Sequence, residues 1–270
     1  MRKIFLKLLL MIGLFLGSWF LLGQINFMKL LNVEKLSIEA EEKVGDFIWD
    51  YFQPKQKEIK NEIIKEQLDT LLSRICITNQ LNPDDYSLHI IRDDEPNAFA
   101  LPGNRIIFHH SLILNCSNAE EYCAILAHEI AHIEHSHVMK KLRQELGLSV
   151  LISISENGVG IGVGKQIMSL LSANAYSRKY EREADKTAVE FLINAKINPE
   201  HFANILNRIT SDRSDYIAST EWLSTHPETK KRCQTILRLK NKKASFSYQD
   251  ISLEKWTLVQ DLLKSESTKH

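Results

Sequence analysis

The chain has 270 residues, 34 Lys+Arg against 34 Asp+Glu, 44% hydrophobic residues, 10 Gly and 6 Pro. This composition excludes collagen-like, low-complexity and disordered chains, and four scattered cysteines exclude a disulfide scaffold. The neutral sum carries no nucleic-acid footprint, yet it is uneven: residues 1–35 hold five basic side chains against Glu34 alone, a net of +4, which leaves −4 on 36–270.

The basic end is also the most apolar. Residues 8–23, LLLMIGLFLGSWFLLG, follow Arg2, Lys3 and Lys7, the order of a secretory signal. A full span needs about 20 apolar residues, and Ile25–Phe27 extend the run toward that length. The expectation is an uncleaved signal anchor over 1–35, with Trp19 at the interface; the alternative is a cleaved signal peptide. Either way, 36–270 is expected beyond the membrane as a single catalytic domain.

Residues 37–53 predict a helix opened by Ser37. Over 55–79, Ile59, Ile63, Ile64, Leu68, Leu71, Leu72 and Ile75 recur at three- and four-residue steps and predict another. Asn82–Asp85 is a turn. Residues 86–91 and 105–109 read as strands, with 97–101 extended between them and a tight turn at Leu101-Pro102-Gly103-Asn104. Ser117 and Glu120 have capping-box spacing and open a helix from about 118 to about 146. Gly158, Gly160, Gly162 and Gly164 punctuate an apolar stretch that Glu156-Asn157 and Lys165 interrupt, so no second span is expected. Helices over about 169–195, 199–210, 228–239 and 252–263 complete the chain. The expected fold is α+β and mainly helical, with short strands between 86 and 109.

That helix carries His128-Glu129-Ile130-Ala131-His132 in an apolar setting. The two histidines are one turn apart, so both imidazoles leave one face and can hold one Zn2+. Glu129 adjoins the first ligand and can take a proton from a zinc-activated water. A peptidase zinc needs a third protein ligand. His135 shares the face, but three ligands along one straight helix surround an ion poorly, so His135 and His137 are assigned surface or supporting roles. The better candidate is Glu181, one turn before Asp185 on a later helix. Asp185 would accept an N–H from a ligand imidazole and fix its tautomer. Ala184 permits close helix packing, and Glu183 is expected to point elsewhere, into solvent.

Four motifs in order resemble one family. They are Asn97-Ala98-Phe99-Ala100-Leu101-Pro102-Gly103, then His128–His132 with His137 five beyond, then Ser177-Arg178 with Glu181, Ala184 and Asp185, and finally Thr225-His226-Pro227 with Arg232. They span about 90–240 and resemble the envelope zinc metallopeptidases that include the HtpX heat-shock protease, the periplasmic BepA protease-chaperone, the mitochondrial Oma protease and the CAAX prenyl proteases. The resemblance implies a gluzincin fold, with His128, His132 and Glu181 as zinc ligands and Glu129 as base. It implies that Asn97, Ala98, Phe99 and Ala100 border the cleft and bind an extended substrate. It places His226 near the zinc, as a fourth ligand of a latent state or as a transition-state donor, with Arg232 close by.

Asn104 stands where the family has a second Gly, and His109-His110 where it has smaller residues. The several spans of the HtpX and prenyl-protease branches and the repeat tail of the BepA type are missing, which points to the single-pass or periplasmic branch. The expected activity is zinc-dependent endopeptidase action on misfolded envelope polypeptides, with the N-terminal segment at the membrane. The rival is a latent protease-chaperone closed by His226. A mitochondrial stress protease is disfavoured by the lack of an Arg- and Ser-rich presequence.

Overall fold

A computed structural model describes residues 11–13, 17, 33–53, 56–157, 161–173, 176–211, 222, 226, 229–242 and 247–267. The apolar segment 8–23 lies outside these apart from 11–13 and 17, and Gly158 and Gly160 also lie outside. Among the described residues no helix is long and apolar enough to cross a membrane. The chain divides into two compact units, 1–41 and 42–270.

The helix predicted over 37–53 is α1, Val33–Phe52. The next begins later than its periodicity suggests. Asn61 caps α2 (Glu62–Thr78), its side-chain oxygen accepting the N–H groups of Ile63 and Ile64 at 3.1 and 3.2 Å. Residues before Asn61 run beside a strand instead. Ile59 N–H donates to Ile90 O and Arg92 N–H to Lys57 O, both at 2.8 Å. Ile59 is buried as its spacing required, but on an extended segment.

Among the described residues three strands, β1 (Ser87–Ile91), β2 (Ala98–Leu101) and β3 (Arg105–His109), form a sheet in the order β1-β3-β2. β3 runs parallel to β1 and antiparallel to β2. Gly103 and Asn104 turn the β2–β3 connection at φ +76° and +55°, the left-handed region that Gly enters freely and Asn tolerates.

After a short α3 (His110–Asn115) comes the central helix α4 (Ala119–Glu134), buried along its whole length from Ala119 to Ile133. The capping pair lies one residue later than predicted. Asn118 accepts the N–H of Glu121 at 2.9 Å, and Glu121 accepts that of Ser117 at 2.7 Å. Glu120 is drawn away to Ile251 N–H at 2.6 Å. The helix also ends earlier than predicted. Ser136 takes φ +48° and starts α5 (His137–Leu146) in a new direction.

Beyond lie α6 (Leu148–Asn157), α7 (Ile161–Ala173) and α8 (Arg178–Asn194). The single helix predicted over 169–195 is therefore two, because the Ser177 hydroxyl caps α8 through Tyr180 N–H at 3.3 Å. α9 (Glu200–Ser211), α10 (Thr229–Lys242) and α11 (Leu253–Ser267) follow close to expectation. The fold is mainly helical around a small sheet. α4 packs against α8, α9 and β2, and α10 packs against α8 and α9. The four cysteines are unpaired.

Candidate metal centre

Helix periodicity places the donors. His128 and His132 leave one face of α4. Glu181, Ala184, Asp185 and Ala188 form one buried face of α8, and the alanines keep it shallow where α8 meets α4. His226 joins from just before α10. His128, His132, Glu181 and His226 are all buried, with donor atoms within 4.8 Å of one another.

The spacing of these atoms is informative. His128 Nε2 lies 3.1 Å from His132 Nε2 and 3.2 Å from His226 Nδ1. Glu181 Oε1 lies 2.9 Å from His226 Nδ1 and 3.4 Å from His132 Nε2. A tetrahedral ion with ligand bonds of about 2.0–2.1 Å has ligand-to-ligand edges of roughly 3.3–3.4 Å. Three imidazole nitrogens and a carboxylate oxygen converge at nearly that spacing, away from water. Lone pairs facing one another in a buried space repel unless a proton or a cation stands between them. The donor set suits a metal ion.

A layer of support surrounds the donors. Asp185 Oδ1 lies 3.2 Å from His128 Nδ1. Arg232 grips Asp185 with two bonds, Nε to Oδ2 at 2.9 Å and Nη2 to Oδ1 at 2.7 Å, the fork geometry of guanidinium on carboxylate. Its Nη1 lies 2.9 Å from Glu181 Oε2 and donates to His226 O at 3.2 Å. Burial alone would raise the carboxyls of Glu181 and Asp185. His226 and Arg232 at Glu181, and Arg232 and His128 at Asp185, outweigh it and hold both below the ordinary carboxylate range.

Glu129 behaves differently. Burial pushes its carboxyl up, against the pull of His226 and His128. Its Oε1 accepts the Trp222 indole N–H at 3.4 Å and lies 3.6 Å from His226 Nε2. Its Oε2 is buried without a hydrogen-bond partner among the described residues. A carboxylate with a free oxygen beside a metal-ligand set is placed to take a proton.

The other predicted residues are found as follows. Asn97 precedes β2, and Ala98 and Ala100 turn into the core. Phe99 packs against Phe52 and His109 at centroid distances of 5.9 and 6.1 Å. His109 and His110 bond to the 93–95 loop, not to the cluster: His109 Nδ1–H donates to Glu95 O at 2.7 Å and His110 Nδ1 accepts Asp93 N–H at 3.1 Å. His135 reaches Thr187 Oγ1 at 2.8 Å, outside the donor set. His137 is buried against His132, and Glu183, whose side chain is 41% exposed, also touches His137 at 3.3 Å. Trp222 was missed. The signal available was a large aromatic one helical step before His226, and His226 N–H indeed donates to Trp222 O at 2.9 Å.

With that geometry in hand, comparison with known proteins is direct. Residues 59–240, 182 of the 270, match the model of peptidase family M48. The chain is 25% identical over 211 residues to the beta-barrel assembly-enhancing protease of Yersinia pestis, covering 71% of this chain and 42% of that protein. It is 24% identical over 222 residues to the mitochondrial metalloendopeptidase OMA1 of Schizosaccharomyces pombe, covering 76% and 66%. The beta-barrel assembly-enhancing protease of Escherichia coli strain K12 is 22% identical over 205 residues, with 71% and 42% covered. The chain thus spans less than half of the bacterial relatives and just under two thirds of the yeast one. A buried His-His-Glu donor set with an adjacent carboxylate, inside a segment matched over two thirds of the chain, leads to one assignment: the chain belongs to peptidase family M48 and carries its metallopeptidase domain.

Proposed function

We propose that the chain is a zinc-dependent metalloendopeptidase of the cell envelope that acts in protein quality control. The observation that carries the chemistry is the buried convergence of His128 Nε2, His132 Nε2 and Glu181 Oε1, with Glu129 alongside. These three residues would hold the metal. A bound Zn2+ supplies Lewis acidity, polarising the scissile carbonyl and making a nearby water easier to deprotonate. Glu129 accepts the proton of the attacking water and hands it to the leaving amine. Its burial suits this task, since pushing the carboxyl up helps it hold the proton it takes. Asp185 fixes the His128 tautomer, and Arg232 holds Asp185 and Glu181 in place. An extended polypeptide would pair with the outer strand β2 around 97–100. Ala98 and Ala100 face inward there, so the segment offers main-chain bonds.

The envelope setting rests on the basic, apolar residues 1–35, read as a membrane address for the 36–270 domain, and on the names of the bacterial relatives. Misfolded envelope polypeptides are the proposed substrates.

A second reading is favoured by His226 and Trp222. His226 Nδ1 takes the fourth place among the donors, and Trp222 occupies Glu129. In this reading the chain is a latent protease-chaperone that binds unfolded polypeptides and cleaves only when this segment moves. Hydrolysis of casein by the zinc-loaded chain, beside Glu129→Gln and His226→Ala, separates the two. Glu129→Gln should lose about 10²–10⁴-fold in kcat. Faster cleavage by His226→Ala supports the latch; an unchanged rate removes it. If wild type and His226→Ala are both as inert as Glu129→Gln, the endopeptidase reading fails.

A further inference from the structure

The two α4 histidines are supported in different ways. His128 leans on Asp185, a buried carboxylate locked by Arg232. His132 has no carboxylate behind it. Its outer nitrogen, Nδ1, lies 3.1 Å from Nδ1 of His137, and His137 Nε2 lies 3.3 Å from Glu183 Oε2. We propose that His137 and Glu183 are positioning residues that fix the tautomer and tilt of His132 by a hydrogen-bonded relay from the metal centre to the surface.

The inference rests on the reading of His132 as a metal ligand, and the tautomers then follow in sequence. His132 Nε2 faces the other donors and must keep its lone pair, so Nδ1 carries the hydrogen. That N–H donates to His137 Nδ1. The His137 hydrogen is thereby placed on Nε2, which donates to the Glu183 carboxylate. One arrangement satisfies both contacts, and the terminal carboxylate selects it.

The backbone is arranged for this contact. In an unbroken helix, a residue five after His132 would lie about 140° around the axis from it. Ser136 breaks the helix with φ +48° and ψ +37°, a conformation uncommon for a residue with a side chain, and turns His137 back onto His132. The His137 ring is then clamped between Tyr180 (4.5 Å, 19°) and His135 (5.2 Å, 20°). His135 is itself held by Thr187. His137 is fully buried, whereas the Glu183 side chain is 41% exposed, so Glu183 can be changed without opening the core.

The test compares zinc affinity, by competition with a chromophoric chelator, in wild type, Glu183→Ala, His137→Phe and His137→Asn. The zinc-loaded proteins, labelled with ¹⁵N-histidine, also report the His132 ring by NMR. Removing such a support typically costs 10–100-fold in metal affinity. That loss is expected for His137→Phe, with a smaller loss for Glu183→Ala. Asn places an oxygen near the former Nδ1 and should recover most of the affinity. The His132 Nδ1–H signal should be protected from exchange in wild type and His137→Asn, exposed in Glu183→Ala, and displaced in His137→Phe. Should His137→Phe not fold, Glu183→Ala decides. Wild-type affinity and an unchanged His132 spectrum in the variants overturn the relay alone. A wild type that takes up no zinc overturns the metal-site reading, and the relay with it.

Discussion

Both ends of helix α4 bury charge, and the two ends arrange it differently. At the first turn, Glu121 meets Arg208, whose Nη1 donates to Oε1 at 2.7 Å and Nη2 to Oε2 at 2.5 Å. Arg208 Nη2 also donates to Asn115 O at 2.9 Å, and Glu121 accepts Ser117 N–H. Donors face acceptors, and the cluster ties α9 to the start of α4. At the other end, ligand-type atoms of His128, His132, Glu181 and His226 face one another within 4.8 Å. Arg232 reaches this set from one side, with Nη2 3.4 Å from His128 Nε2 and Nη1 2.9 Å from Glu181 Oε2. The first cluster is complete as a structural device. The second has the donor set that suits a cation.

That difference predicts different responses. Stripping the metal should hurt the second cluster most. A ligand held at a thousandfold excess over its Kd stabilises by about 4 kcal/mol, or roughly 8–15 °C in melting temperature for a domain of this size. Thermal denaturation before and after chelation should show such a drop, restored by added Zn2+; an unmoved transition would erase the contrast between the two ends. Glu121→Ala should strike the first cluster alone. It leaves Arg208 without its carboxylate and should cost about 1.5–3 kcal/mol in urea unfolding, with metal content unchanged. The smallest effect is on pH dependence. Burial and Arg232 push His128 down, but Asp185 and Glu181 outweigh them and hold it up to about 9. A bound metal needs the neutral ring, so a proton competes for the site. Zinc affinity should weaken as pH falls below about 9, by at most tenfold per unit. Affinity independent of pH between 9 and 7 would contradict this protonation.

How much of this was legible in the sequence depends on the range of the interaction. The spacing of His128 and His132, and of Glu181 and Asp185, is one helical turn, so shared faces could be read directly. The strands and the Gly103-Asn104 turn were also local. Four features were not. The start of α2 is set by Asn61 and by pairing of 57–59 with β1, which apolar spacing cannot distinguish from helix. The bend at Ser136 uses a left-handed residue that is not Gly, so nothing in the residue type marks it. The Glu183–His137 contact was hidden, although Glu183 keeps a 41% exposed side chain, because His137 is 46 residues away and is turned inward by that bend. Trp222 reaches Glu129 across 93 residues, outside any motif.

The central claim is that the buried donor set exists to hold a metal, with Glu181 as the ligand from α8. Metal content by mass spectrometry of the purified chain and of Glu181→Ala, after dialysis against metal-free buffer, tests it most directly. About one Zn2+ per chain is expected in the wild type, and a loss of most of it in Glu181→Ala. Undiminished, stoichiometric zinc in Glu181→Ala would contradict the account.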